Sequence, residues 1–141
     1  MISENEISGI VLALHRTTHR TLHALSAALA GENLNAAEIN ALANLAAGGT
    51  LNVRQLSERT GTRASTLTGV LDRLADRGYL TRELDPSDRR SFRLPLTKAG
   101  QAVAGRVLAA VADLEREAMA GLSAAQIAGF HAVLTALQEA C

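Results

Sequence analysis

The chain has 141 residues, a length typical of one domain, and 48% of them are hydrophobic, which is enough to build a core. Aromatic residues make up only 2%, which argues against the stacking platforms that hold single-stranded nucleic acid. A single cysteine, Cys141, excludes an intramolecular disulfide framework. No stretch approaches the roughly 20 apolar residues of a membrane span, and the acidic N-terminal segment has no signal-peptide core. The sequence therefore predicts a cytoplasmic protein with no membrane partner.

The formal net charge is zero, with 14 basic and 14 acidic residues, but the charge is unevenly distributed along the chain. Between Leu51 and Lys98, ten basic residues stand against six acidic ones, a net charge of +4, so that the rest of the chain carries −4. A neutral chain with this asymmetry can still present a positive face to a nucleic acid.

The first predicted element is one long helix over residues 3–30. Apolar residues recur there at helical spacing, and no Pro or Gly lies between Ile10 and Ala30. At about 1.5 Å of rise per residue this helix would be roughly 40 Å long. A small domain cannot bury so long a stripe, so we expect part of the helix to meet another chain.

Three shorter helices are predicted next, over residues 35–47, 52–59 and 63–77. The first two open on capping-box-like sequences, and Gly78 follows the third at the position that favours glycine. The segment 53–77 is thus a helix, a short turn containing glycine and a second helix, which is the form of a helix-turn-helix.

The apolar period changes from 3.6 to 2 after Gly78 and predicts two strands, Tyr79–Leu84 and Ser91–Leu96, joined by the basic connector Asp85–Arg90. Phe92, Leu94 and Leu96 are predicted to share one face of the second strand. Two helices close the chain, one from Thr97 to about Ala120 and one from the capping-box-like Ser123 to near Cys141.

A helix-turn-helix followed by a basic hairpin is a winged helix, so the predicted fold is mainly α with a small β-hairpin wing. The start of helix 63–77 combines arginine with short polar residues, which suits base edges in a major groove. The arginines at the hairpin tip suit the negative potential of a minor groove, and Asp88 can hold its neighbouring arginine in position. The candidate DNA-binding residues are Arg54, Thr62, Arg63, Ser65, Thr66, Thr68, Arg73, Arg77, Asp88, Arg89 and Arg90.

Four short motifs follow one another between Leu71 and Gly100: LDRL, GYLxR, DxxDxR and LTxxG. This run resembles the signature of the MarR family of bacterial transcriptional regulators. The resemblance implies an obligate homodimer in which residues 1–34 and 97–141 form a helical dimerisation part and residues 35–96 form a winged helix-turn-helix DNA-binding part.

The same resemblance implies that helix 63–77 is the recognition helix and Arg90 the wing-tip arginine. Members usually repress transcription from near-palindromic sites, and they release DNA on oxidation or on binding a small, often phenolic, effector. Peroxide-sensing members carry a cysteine in or near the first helix, and urate-responsive members carry an early Trp; this chain has neither. No cofactor is expected.

Three histidines, His15, His19 and His23, follow one another at intervals of four residues and so line one side of the first predicted helix. We predict that they form a polar stripe at a dimer interface or a wall of the effector pocket, with His15 and His19 as the candidate effector-binding residues. A pH-sensing role and a metal site are the alternatives. For a metal site, three imidazoles on one straight helix need a further ligand, such as His131 or Glu38.

The sequence therefore favours a ligand-responsive regulator, a repressor, that binds near-palindromic duplex DNA as a homodimer. The alternatives are a metal-responsive member of the same family and a winged-helix interaction protein, such as an antirepressor, that does not bind DNA. An enzyme is disfavoured because the chain has no Gly-rich phosphate loop, no HExxH motif and no nucleophile elbow.

Overall fold

The computed structural model describes residues 1–141, and the chain divides into two compact units, Met1–Ala110 and Val111–Cys141. It is mainly helical, with one two-stranded antiparallel sheet, which confirms the predicted fold class. In chain order, the helices and strands are α1 (Glu4–Ile7), α2 (Ile10–Ala28), a 3-10 turn (Ala30–Glu32), α3 (Ala36–Ala47), α4 (Val53–Thr60), α5 (Ala64–Asp76), β1 (Glu83–Asp85), β2 (Asp88–Arg93), α6 (Lys98–Met119) and α7 (Ala124–Ala140).

The prediction of one helix over residues 3–30 is wrong, because the chain breaks between α1 and α2. Gly9 lies there with a φ of 79°, in the left-handed region that glycine adopts without steric cost. The helix α2 also ends earlier than predicted, at Ala28, and the 3-10 turn follows it. Its 19 residues span about 29 Å.

The helices α3, α4 and α5 confirm the predicted helix-turn-helix and its boundaries to within one residue. The Asn35 side chain accepts a hydrogen bond from the Glu38 N–H, and the Glu38 carboxylate accepts one from the Asn35 N–H. Asn52 and Gln55 make the same reciprocal pair at the start of α4. These boxes satisfy backbone donors that a helix start leaves free.

The hairpin forms, but its strands lie nearer the tip than predicted. Only Pro86 and Ser87 separate β1 from β2, so most of the predicted connector belongs to the strands. Phe92 lies opposite Leu84 with 43% of its surface exposed, so it is not buried as Leu94 is. A two-stranded hairpin that extends beyond the core has no second layer to cover its apolar face. Of its apolar side chains, only Leu94, at the base, is buried.

One hydrophobic core holds Met1–Ala110 together, built from α3, α4, α5, the base of the hairpin and the first half of α6. Gly100 allows α6 to start directly against the end of α5, because a Cβ at this position would lie 1.8 Å from the Tyr79 carbonyl oxygen. The buried apolar side chains are Leu29, Leu34, Ile39, Ala41, Leu42, Leu45, Leu51, Leu56, Leu67, Val70, Leu71, Leu74, Leu80, Leu94, Val103, Ala104 and Val107.

The second unit, Val111–Cys141, contains the end of α6 and all of α7 and has no buried residue. The Ser123 side chain accepts from the Gln126 N–H, which confirms the predicted capping box at the start of α7. No single helix of the chain is long and apolar enough to cross a membrane, and only the bent pair α6 and α7, taken together, meets that length and composition.

Candidate nucleic-acid interface

The start of α5 presents polar side chains on the side opposite the core. Leu67 and Val70 are buried, whereas Arg63, Ser65 and Thr66 are exposed. Arg63 occupies the N-cap position without capping the helix, so its guanidinium is free to project from the helix start.

The two candidate threonines, Thr62 and Thr68, lie on either side of the start of α5 and have different hydrogen-bond partners. The Thr68 hydroxyl donates to the Ala64 carbonyl 3.0 Å away, on the exposed surface of α5. Thr62 lies in the turn between α4 and α5, where its carbonyl accepts a 2.6 Å hydrogen bond from the Ser57 hydroxyl. This hydrogen bond ties the turn to α4 and so fixes where α5 begins.

The candidate arginines fall into two groups. Four of them are exposed and form no ion pair with any carboxylate: Arg54 of α4, Arg63 at the N-cap of α5, and Arg89 and Arg90 of β2. Arg73 and Arg77 instead lie within 4 Å of the buried Glu38 carboxylate, at 3.9 and 3.8 Å. The first group keeps its full positive charge available for a polyanion.

The hairpin tip is organised by Asp88, whose carboxylate accepts a 3.0 Å hydrogen bond from the backbone N–H of Arg90. The predicted effect of Asp88 on its neighbour therefore acts through the backbone. The Arg90 side chain is left free beside the equally exposed Arg89.

The sequence marks Asp85 only as part of a turn, yet this residue is buried at the end of β1, opposite Asp88. It accepts hydrogen bonds from the Ser87 hydroxyl and N–H, at 2.7 and 3.0 Å. These bonds, and then the Asn52 side chain and Arg93, hold the pKa of Asp85 below its ordinary value. An aspartate two residues before a serine, beside a proline, is the available sequence signal, since it favours such a turn.

The hairpin is attached to α4 at the same place. The Leu94 N–H donates to the Leu51 carbonyl 2.9 Å away, and Arg93 is bridged to Asn52, the N-cap of α4. Arg54 follows Asn52 by two residues, so the start of α4 and the base of the wing lie together.

Arg77, a candidate DNA contact, is exposed, and its guanidinium bonds to groups of its own chain. It donates to the carbonyls of Glu32 and Asn33, each 2.7 Å away, and to the Tyr79 hydroxyl at 3.2 Å. Its central carbon also lies 4.9 Å from the centre of the Tyr79 ring. A DNA contact by Arg77 stays a prediction that competes with these internal partners.

The candidate effector residues His15 and His19 are exposed on α2, as is His23. No group of three or more His, Cys, Asp or Glu residues in the chain lies close enough to hold a metal ion. Glu38, named above as a possible further ligand, is engaged at the start of α3 and by the two arginines.

A cavity of about 450 Å³ lies within Met1–Ala110, between α3, the base of the hairpin and α6. It is mainly apolar, with Thr50 and Gln101 as its polar side chains. Three distant segments build it, so no local pattern in the sequence marks it. Its lining residues are Leu45, Ala46, Gly49, Thr50, Pro95, Leu96, Gln101, Gly105 and Leu108.

A family model described as the MarR family matches residues 32–91, the segment from the 3-10 turn to the hairpin. The multiple antibiotic resistance protein MarR of Escherichia coli K12 is 25% identical over 131 residues, which cover 92% of this chain and 91% of that protein. The chain belongs to the MarR family.

Solved structures share the fold of this chain. A probable transcriptional regulator from Pseudomonas aeruginosa is 32% identical, with a TM-score of 0.66 over 88% of this chain and 93% of that one. CouR from Rhodococcus jostii, solved with p-coumaroyl-CoA, is 26% identical, with a TM-score of 0.80 over 92% of each chain. A mutant of Escherichia coli MarR in complex with operator DNA superposes with a TM-score of 0.75 at 24% identity, over 97% of this chain and 99% of that one.

Proposed function

We propose that this MarR-family chain is a transcriptional regulator that binds duplex DNA through α5 and the hairpin. The observation that carries the proposal is a set of exposed arginines without carboxylate partners on α4, at the N-cap of α5 and on β2 of a winged helix-turn-helix: Arg54, Arg63, Arg89 and Arg90. The operator complex of the Escherichia coli relative supports the same function.

Each part of this surface suits one part of a DNA duplex. The start of α5 carries small side chains that allow a close approach to a major groove, and Arg63 can donate two hydrogen bonds to one guanine. Arg89 and Arg90 at the hairpin suit the minor groove, where the negative potential attracts guanidinium groups. Arg54, exposed at the start of α4, suits a contact with a phosphate.

We propose that the protein acts as a homodimer on near-palindromic sites. Within a single chain, α2 and α7 bury no residue, and exposed apolar side chains such as Val11, Leu12, Phe130 and Val133 remain on them. A second copy would remove this surface from water. Two recognition helices related by a two-fold axis would then read half-sites about 10–10.5 base pairs apart.

The apolar cavity beside α6 supports a response to a small molecule. Its volume of about 450 Å³ lies within the range of about 300–1,000 Å³ that is usual for small-molecule sites. Thr50 and Gln101 offer hydroxyl and amide groups that can orient a phenolic or carboxylic ligand. The CouR complex with p-coumaroyl-CoA supports such an effector class. We propose that the effector lowers DNA affinity, which makes the protein a repressor. His15 and His19 do not line this cavity, and they stay candidate contacts for an effector bound against α2.

The test is a fluorescence-anisotropy titration against a duplex from the region upstream of the protein's own gene, at two salt concentrations. We expect Arg63→Ala to lose about 1–3 kcal/mol of specific binding and relax base preference. We expect Arg90→Ala to weaken binding most at A·T-rich flanks. Arg116→Ala, at an exposed α6 arginine paired with Asp113, is the matched control and should bind as the wild type does.

The alternative function has its own outcome in this experiment. A wild-type protein that shows no salt-dependent duplex binding at micromolar concentration is not a DNA-binding regulator. The winged-helix interaction protein would then replace it, and the next step would be a search for a protein partner.

A further inference from the structure

The C-terminal end of α5 is attached to α6 at one point. The Thr97 hydroxyl donates to the Gly78 carbonyl at 2.5 Å, and the Thr97 N–H donates to the Tyr79 carbonyl at 3.0 Å. Gly100 packs against the same Tyr79 carbonyl. This attachment fixes the position of the end of α5 beside the start of α6.

Arg77, the C-cap residue of α5, supplies a second attachment. Its two terminal nitrogens donate to the carbonyls of Glu32 and Asn33, which close the 3-10 turn more than 40 residues earlier in the chain. Its guanidinium also lies over the Tyr79 ring. Two consecutive carbonyls and an aromatic face match the planar fork of arginine, and an ammonium group cannot satisfy them all.

The 3-10 turn is in turn fastened to α6. The Glu32 carboxylate accepts hydrogen bonds from the Nε and Nη2 atoms of Arg106, two turns into α6, and the second bond is 3.2 Å long. The hydrogen bond lowers the pKa of Glu32 and raises that of Arg106, so both groups are charged over the working pH range. The contacts therefore close a triangle from α5 to the 3-10 turn, to α6 and back to α5.

We propose that Arg77 is a positioning residue for DNA recognition: with Glu32 and Arg106 it fixes the angle of the recognition helix α5 against α6, and it does not contact DNA. We call these three residues the Arg77 junction. The inference rests on the proposed DNA-binding function and refines it, because it removes Arg77 from the DNA surface and adds two residues that no sequence motif marks.

A phosphate contact and a positioning role predict different outcomes for two substitutions. Arg77→Lys keeps the charge, so a phosphate contact would survive, whereas the paired carbonyl contacts would not. Glu32→Gln removes a negative charge, which by electrostatics alone would strengthen binding to DNA. Under the positioning role, both variants bind specific DNA more weakly.

The experiment measures binding of each variant to the upstream duplex and to a scrambled duplex across a salt series. We expect Glu32→Gln, Arg106→Gln and Arg77→Lys each to lose about tenfold in affinity for the upstream duplex, as coupling through a contact network permits. Binding to the scrambled duplex and the slope of log affinity against log salt should stay those of the wild type. Asp113→Asn removes one acid from the other arginine pair of α6 and is the matched control.

A second measurement, on the free protein, separates this inference from the function on which it rests. The N–H groups of Arg77, Gly78 and Tyr79 donate to α5 carbonyls, so their hydrogen exchange reports opening of the helix end. We expect exchange about tenfold faster in Glu32→Gln and Arg77→Lys than in the wild type and in Asp113→Asn, with circular dichroism unchanged.

Failures of the two ideas are distinguishable. A wild-type protein without duplex binding overturns the proposed function, and the exchange rates then decide the junction by themselves. Wild-type exchange in both variants overturns the Arg77 junction. So does an Arg77→Lys variant that binds as the wild type does while Arg77→Gln lowers the salt slope by about one, the loss expected for one phosphate contact.

Discussion

The helices α5 and α7 show that apolar content and burial are separate properties. The helix α7 is richer in apolar residues than α5, yet it buries none of them, whereas α5 buries Leu67, Val70, Leu71 and Leu74. The difference is the presence of neighbours, because α5 packs within a core built by its own chain. Apolar side chains of α7 such as Phe130 and Val133 stay exposed in the single chain, and the proposed second copy would cover them.

The largest expected effect is a loss of unfolding free energy when a buried residue of α5 is truncated. Leu74 is completely buried, so Leu74→Ala should cost about 2–5 kcal/mol of unfolding free energy through lost contacts and a residual cavity. Leu84→Ala applies the same chemistry to a side chain that is 65% exposed on the hairpin, and it should cost no more than about 0.5 kcal/mol. Urea unfolding followed by circular dichroism measures both. Equal losses would contradict the placement of the core.

The next effect concerns α7. Phe130 is 52% exposed in the single chain, and Phe130→Asp should weaken self-association by about thirtyfold, the loss of one well-buried interface residue. Leu84→Asp is the control, since it introduces the same charge at an exposed apolar residue outside the terminal helices. Sedimentation velocity over a concentration series measures both variants. If Leu84→Asp dissociated the protein and Phe130→Asp did not, the dimer surface would lie on the hairpin.

The smallest expected effect is a local loss of hairpin stability when Asp85 is protonated. Because the pKa of Asp85 is lowered in the folded protein, its stabilisation is complete above the ordinary carboxyl pKa of about 4. It is lost as the pH falls through the lower native value. Amide exchange should show the Ser87 N–H losing protection in this range while the core amide of Leu71 keeps it.

A matched variant sharpens the acid experiment. Asp85→Asn cannot titrate, so its Ser87 amide should show no change over the same pH range. Loss of protection at Ser87 and Leu71 together would mean that the hairpin and the core unfold as one unit, which would contradict a local role for Asp85.

The features predicted correctly from the sequence are those that neighbouring residues determine. In the capping boxes at Asn35 and Ser123, the two bonded residues are three positions apart, so the residue types at those positions are enough to predict the box. The order of the elements and the exposed Arg63 at the start of α5 follow from the same local patterns.

The errors arise where a pattern is compatible with more than one backbone or where the partner is distant. The apolar period continues across Gly9, so it gives no sign of the break there, and only the left-handed φ of the glycine reveals it. The alternating pattern of the second strand predicts which face Phe92 lies on, but it does not predict whether another layer of the protein covers that face. The carbonyl partners of Arg77 lie 44 and 45 residues away, a contact that no spacing along the chain encodes.

The helix α6 has a consequence for how the two units form. It runs without interruption from Lys98 to Met119, and its buried residues, Gly100, Val103, Ala104 and Val107, all lie in its first half. Starting a helix is costly because several residues must be ordered for one hydrogen bond, whereas each further residue then adds a bond of its own. The second half of α6 can therefore extend from a nucleus that the core already stabilises. The helix α7 has no such template and depends on the Ser123 capping box for its first turn.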